Sequence, residues 1–195
     1  MKKGPALALI ALLFAVGLAF SADTYQVDTN HSTVGFSAKH LVISTVPGKF
    51  KEFSGTIVYD PQDISKSSVT GTIKTASIDT GVSNRDDDLR SANFFDVEKY
   101  PEITFKSTKV EKSDDGVMVT GDLTIKGVTK QVKFPATVNG PIKDPWGNSR
   151  IGFSFGFEIN RLDYGISYNK AMETGGLVVS KEVKIQIDGE AVAKK

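Results

Sequence analysis

The chain has 195 residues, 39% of them apolar and 24% charged, with a formal net charge of +1 and no Cys. That composition suits one globular domain and argues against a disordered or fibrous chain. It leaves no disulfide, excludes thiolate-ligated metal and thiol chemistry, and indicates no broad basic surface for nucleic acid or anionic membranes, although local patches escape a net count.

Met1-Lys2-Lys3 is followed by the charge-free run "GPALALIALLFAVGLAF" and then by small residues around Ala19, Ser21 and Ala22. This is the pattern of a secretory signal peptide over residues 1–21, cleaved near Ser21/Ala22. The run also approaches the length of about 18 residues that a spanning segment needs, so a retained membrane anchor is the competing reading. Cleavage after Ser21 places Ala19 and Ser21 at the two small-residue positions, whereas cleavage after Ala22 would place Phe20 at one of them. No Cys follows the run, which excludes an anchor through a lipidated Cys. Removal of Lys2 and Lys3 takes the formal charge from +1 to −1. What remains, 22–195, is a single exported domain large enough to build its own core, with no stable membrane insertion after cleavage.

Alternation of apolar and polar residues, the signature of strands, then recurs between turn residues. "TYQVD" opens it, and "STVGFSAKHL" alternates Val34, Phe36, Ala38 and His40. "GKFKEFSGTIVYD" carries Phe53, Gly55, Ile57 and Tyr59, and "SSVTGTIKTASID" follows. "EITFKSTKVE" and "GVMVTGDLTIKG" come next, then "VTKQVKFPATVNG". "RIGFSFGFEIN" places Ile151, Phe153, Phe155, Phe157 and Ile159 on one face, and "LVVSKEVKIQIDGEAV" closes the chain. The joins "SDDG", "KG" and "DPWGN" are short and turn-like, which predicts antiparallel neighbours in an all-β sandwich or barrel. One helix fits, near "SNRDDDLRSANFF", with Ser83 or Asn84 as N-cap and Asp86, Asp87 and Asp88 in the first turn, where the helix dipole favours negative charge. Pro101 ends that segment by pushing Tyr100 out of the helical region.

Three chemistries compete. Asp28, His31, Ser32 and His40 hold the ingredients of a nucleophilic triad, but Ser32 lacks a Gly-x-Ser-x-Gly elbow and nothing nearby predicts an oxyanion hole. A turn in which Asp28, Asn30 and Ser32 bond local backbone is the plainer reading. The two His residues lack a recognised ligand spacing, and Asp86-Asp87-Asp88 lacks the alternation and Gly of a calcium loop, so no metal site is expected. The third chemistry is apolar binding: twelve Phe with strand Leu, Ile and Val can fill a core, or line a barrel of about eight strands that holds one small ligand.

Four stretches together resemble the YceI-like family of bacterial exported polyisoprenoid-binding proteins: "VDTNHSTVGFSAKHL", "NRDDDLRSANFFDVEKYPEITF", "GDLTIKGVTKQV", and "INRLDYGISYN" with "VSKEVKIQIDGEA". The likeness spans about Thr24 to Ala191. It is most specific at Arg85, Asp86, Leu89, Arg90, Ser91, Phe94, Phe95, Asp96, Tyr100 and Pro101. One departure is Asp88, where many members carry His. The resemblance implies an extended antiparallel, lipocalin-like barrel with a short helical insertion. It further implies a periplasmic, non-enzymatic protein that holds a polyisoprenoid or isoprenoid-quinone-type lipid, with no other cofactor.

On that reading, strand alternation directs Phe36, Ile57, Ile73, Leu123, Phe153, Phe155 and Phe157 to the tunnel. Phe94, Phe95 and Tyr100, beside the insertion, form part of its wall or entrance. Arg85, Asp88 and Arg90 are rim candidates for a head group, with Arg90 equally placed as a structural ion-pair partner. The expected partner is an apolar amphiphilic lipid, and a homodimer is left open. Two rivals remain: a hydrolase or isomerase using Asp28, His31 and His40, and a ligand-free, stress-related structural or interaction protein whose interior would be packed solid.

Overall fold

The computed structural model describes residues 22–169 and 178–194, and the expected signal segment 1–21 lies outside the described residues. Ten strands are described: β1 (Asp23–His40), β2 (Ser44–Phe50), β3 (Phe53–Tyr59), β4 (Ser68–Lys74), β5 (Ile78–Asp79), β6 (Glu102–Ser113), β7 (Gly116–Ile125), β8 (Val128–Lys143), β9 (Ser149–Asn160) and β10 (Val179–Ala193). The single α-helix among the described residues, α1, spans Ser83–Arg90 between β5 and β6.

Antiparallel pairing runs β1, β3, β4, β6, β7, β8, β9, β10, and β10 pairs again with β1. Eight strands thus close into a barrel, which satisfies the backbone groups that a free sheet edge would expose. The eighteen residues of β1 pair with β10 on one edge and with two strands on the other: Asp23–Gln26 with β3 and Val34–His40 with β2. Pro47 is tolerated in β2 because the far side of that strand is paired only at Lys49 and Phe50, with β5.

Period-2 sequence becomes a two-faced wall most plainly on β7. Val117, Val119, Leu123 and Ile125 are buried in step, and Asp122 between them is exposed. One buried cluster gathers Val34, Phe50, Ile78, Phe94, Ile103, Leu123, Ile125, Tyr164 and Ile166, and a second gathers Val110, Val117, Val119, Phe134 and Ala136. Removing such surface from water contributes about 25 cal/mol per Å².

The structure corrects the sequence in three local places. "TYQVD" and "STVGFSAKHL" are one strand, β1, whose pairing with β10 slips between Asp28 and Thr33; the expected turn is a bulge within a continuous strand. "GKFKEFSGTIVYD" is split at Lys51-Glu52 into β2 and β3. The N-cap of α1 is Val82, with no side-chain cap, so neither Ser83 nor Asn84 holds that position. Asp86, the only acid of the first turn, is buried and accepts from the Thr80 backbone N–H and hydroxyl, which ties the helix to the loop before it.

Candidate functional site

The barrel interior is not packed solid. A cavity along its axis leaves about 280 Å³ open to the centres of water-sized molecules. One water needs only roughly 10–15 Å³ on this measure, so the space is a chamber and not a packing defect. Its wall runs from Ile64, Val110 and Val138 near one end to Leu89, Ile166 and Val179 near the other, and its surface is almost wholly apolar. Apart from Phe14 and Phe20, which precede residue 22, every Phe of the chain lines it: Phe36, Phe50, Phe53, Phe94, Phe95, Phe105, Phe134, Phe153, Phe155 and Phe157.

The alternation of β9 directs Phe153, Phe155 and Phe157 inward, where they form a shallow stack with successive centroids 6.5 Å apart. Phe36, Ile57, Ile73 and Leu123 reach the wall from β1, β3, β4 and β7. From the insertion, Leu89, Phe94 and Phe95 reach the same space; Phe94 lies against Tyr168 at 5.0 Å and Phe95 meets Phe50 edge-on at 6.0 Å.

Tyr100 is placed elsewhere. It is not part of the cavity wall; its ring covers Gly127 on the β7–β8 turn, where an added Cβ would stand 2.7 Å from Cε1. The three rim candidates lie outside the wall, and each is bonded locally. Arg85 donates from Nε to the Thr80 hydroxyl and from Nη2 to the Thr80 carbonyl. Arg90 donates to the carbonyls of Ala76 and Ile78 and pairs with Asp87 at 2.9 Å, which fits its structural alternative. Asp88 accepts from Asn93 Nδ2 and, through its carbonyl, from Ser91.

One wall residue carries a full charge. Arg161 is 4% exposed and donates from Nε to Ser180, from Nη1 to Ile166 and Tyr168, and from Nη2 to Val179, all main-chain carbonyls. Burial pushes its pKa down from the ordinary guanidinium value. It stitches the segment after β9 to the start of β10. Sequence reading passed over it as one letter of "INRLDYGISYN"; an Arg flanked by Ile159, Leu162 and Ile166 was the available signal.

The triad ingredients do not converge. His31 Nδ1 lies 2.8 Å from Asp28, but His40 stands at the far end of β1, opposite Val179. The Ser32 hydroxyl is bonded to the carbonyl and N–H of Glu190. Asp28, His31 and Glu190 could offer three ligand atoms to a cation. Arg150 already fills that role: Nη1 lies 2.8 Å from Asp28 and 3.1 Å from Glu190, and Nε lies 2.9 Å from Asp144. The guanidinium, followed by the hydrogen bond to His31, holds the Asp28 carboxyl down at about 2. It also depresses the Asp144 carboxyl, and the carboxylates in turn raise Arg150.

The chain matches the family model for the YceI-like domain over residues 25–191. It is 39% identical to Protein YceI of Escherichia coli O17:K52:H18, over the whole length of both chains. Among solved structures it resembles Burkholderia cenocepacia BcnA, with 30% identity and a TM-score of 0.73 over 86% of this chain and 99% of that one. It also resembles a polyisoprenoid binding domain from Saccharophagus degradans at 16% identity, with a TM-score of 0.62 over 89% and 100% of the two chains, a likeness of fold. A family match across nearly all of the barrel, with a relative of equal length, places the chain in the YceI-like family.

Proposed function

We propose that this protein is an exported, non-catalytic carrier that holds a polyisoprenoid or isoprenoid-quinone-type lipid along the barrel axis in the periplasm. The observation that carries the reading is the cavity walled by every described Phe. An apolar chain moving into it from water gains about 25 cal/mol per Å² of surface removed, without leaving a polar group unpaired. The family membership supports the same ligand class, since a domain of the same fold is a polyisoprenoid binding domain. The separation of His40 from Asp28 and His31 disfavours the hydrolase or isomerase reading, and an open chamber disfavours a ligand-free structural barrel. Export rests on the basic start, apolar run and small residues before residue 22.

The test is organic extraction and mass spectrometry of freshly purified protein, followed by titration of the extracted protein with a prenyl lipid. A co-purifying apolar lipid, or stoichiometric uptake of the added one, is expected. Empty protein that also refuses the added lipid overturns the reading.

A further inference from the structure

The β1–β2 hairpin carries the most exposed aliphatic side chains of the described residues: Val42 is 69% exposed and Ile43 is 84% exposed. They are not chance surface residues on a relaxed turn. Leu41 and Val42 both take left-handed backbone, with φ of 51° and 65°, a conformation that bulky and β-branched residues rarely adopt. The turn is held by the Leu41 N–H donating to the Val178 carbonyl at 2.9 Å and the Ile43 N–H donating to the His40 carbonyl at 3.2 Å. It is also continuous with the cavity, because Ala38 on β1 and Val179 on β10, just behind it, belong to the cavity wall.

We infer that this tip, Leu41 to Ile43, docks the carrier onto an anionic lipid bilayer, with Val42 and Ile43 inserted among the acyl chains. A convex tip of aliphatic side chains fits a fluid apolar layer, which needs no complementary pocket. Lys39 and His40 flank it, and exposed Lys181 stands beside them near the start of β10 next to exposed Glu182, while the tip itself carries no carboxylate, so the cations are in excess there. The opposite end of the barrel also shows apolar residues, Ile142 and Trp146, but there exposed Lys112 and Lys143 are offset by exposed Asp114 and Asp115, so that end offers no net attraction to an anionic surface. The purpose of the contact, loading or release of the lipid, rests on the carrier reading; the contact does not.

The experiment is flotation of the purified protein with phosphatidylcholine vesicles, with and without phosphatidylglycerol. Association should depend on phosphatidylglycerol, weaken with salt, and fall by about tenfold or more in Val42→Asn/Ile43→Ser, which removes the apolar side chains without adding charge at two exposed positions and leaves the core intact. Trp146, the sole Trp of the chain, reports from the other end, and its emission should not shift on binding. A blue shift of Trp146, vesicle binding unaffected by the double substitution, or no association with either vesicle overturns the proposal. If the substitutions abolish a protein contact while vesicle binding persists, the tip belongs to a protein partner and the proposal also falls. Wild-type protein that floats with vesicles but never loads a prenyl lipid would leave the docking intact and remove the carrier function. Protein that loads lipid without floating would do the reverse.

Discussion

Phe134 of β8 stacks on Phe157 of β9 with ring centroids 4.6 Å apart and planes within 9° of parallel. Phe155 is 4.8 Å from Phe134 and 6.5 Å from Phe157, so one Phe134 ring meets both β9 rings. All three rings border the cavity, but Phe134 is 2% exposed and closely packed, whereas the two β9 rings are half-buried. Phe134→Ala should therefore cost about 3–5 kcal/mol in urea unfolding, as a deeply packed aromatic does. Phe157→Ala enlarges space that is already open and should cost measurably less, its main effect falling on lipid retention. Equal losses would mean that the chamber closes in solution.

Phe155→Asp tests which face of β9 is inside. An isolated carboxylate in an apolar interior costs several kcal/mol, so the variant should fail to fold or should lose its lipid. Ser154, one residue earlier, points outward and stands opposite Asp188, so Ser154→Lys puts a charge on the outer face next to an opposite one and should be accepted far more readily. Comparable stability and loading in the two variants would reverse the assigned faces.

The inward row Phe153, Phe155 and Phe157 was legible in sequence because a strand's side-chain period is fixed at 2, whatever it packs against. That the row meets empty space was not, since alternation is the same for a solid core and a chamber. Tyr100 was misplaced for a related reason: outside regular structure, sequence spacing carries no information about facing, and its ring turned to Gly127. The local partners of Arg85, Asp88 and Arg90 were not legible, because charge is visible in a sequence while what it bonds is not. The carbonyls of Ala76, Ile78 and Thr80 that occupy the two Arg residues come from main chain, which every residue has. The bulge at Asp28–Ser32 resembled a turn because its residues are turn formers, but the strand on either side is held by β10 from more than 140 residues away in the chain.

Gly127→Ala separates Tyr100 from the lipid site. Gly127 has φ of +75°, and the new methyl would meet the Tyr100 ring at 2.7 Å. Left-handed backbone alone costs a residue with a Cβ about 1–2 kcal/mol, and displacement of the ring adds to it. The expected result is a lower unfolding midpoint with unchanged lipid content, since neither residue is on the cavity wall. A selective loss of lipid at normal stability would return Tyr100 to the entrance.

The Arg150 network should govern the acid limb of stability. The Asp28 carboxyl is held at about 2 in the folded protein, chiefly by Arg150, against an unfolded value of about 3.9. A depressed folded pKa means that the unfolded chain takes up protons first, so this contribution is complete above about pH 4 and is lost as pH falls from there toward 2. Asp144, with a side chain 5% exposed and also depressed chiefly by Arg150, acts in the same direction. Arg150→Gln removes the cation that three carboxylates share, leaving Asp28 its bonds to His31 and the Asn30 N–H, and Asp144 its bonds to Asn148 and the Trp146 N–H. The variant should be less stable at pH 7, and its urea midpoint should fall less between pH 4 and pH 2, because the carboxyls then titrate closer to their unfolded values. Parallel pH profiles for the two proteins would show that the bulge of β1 is held by packing, with the charges contributing nothing to it.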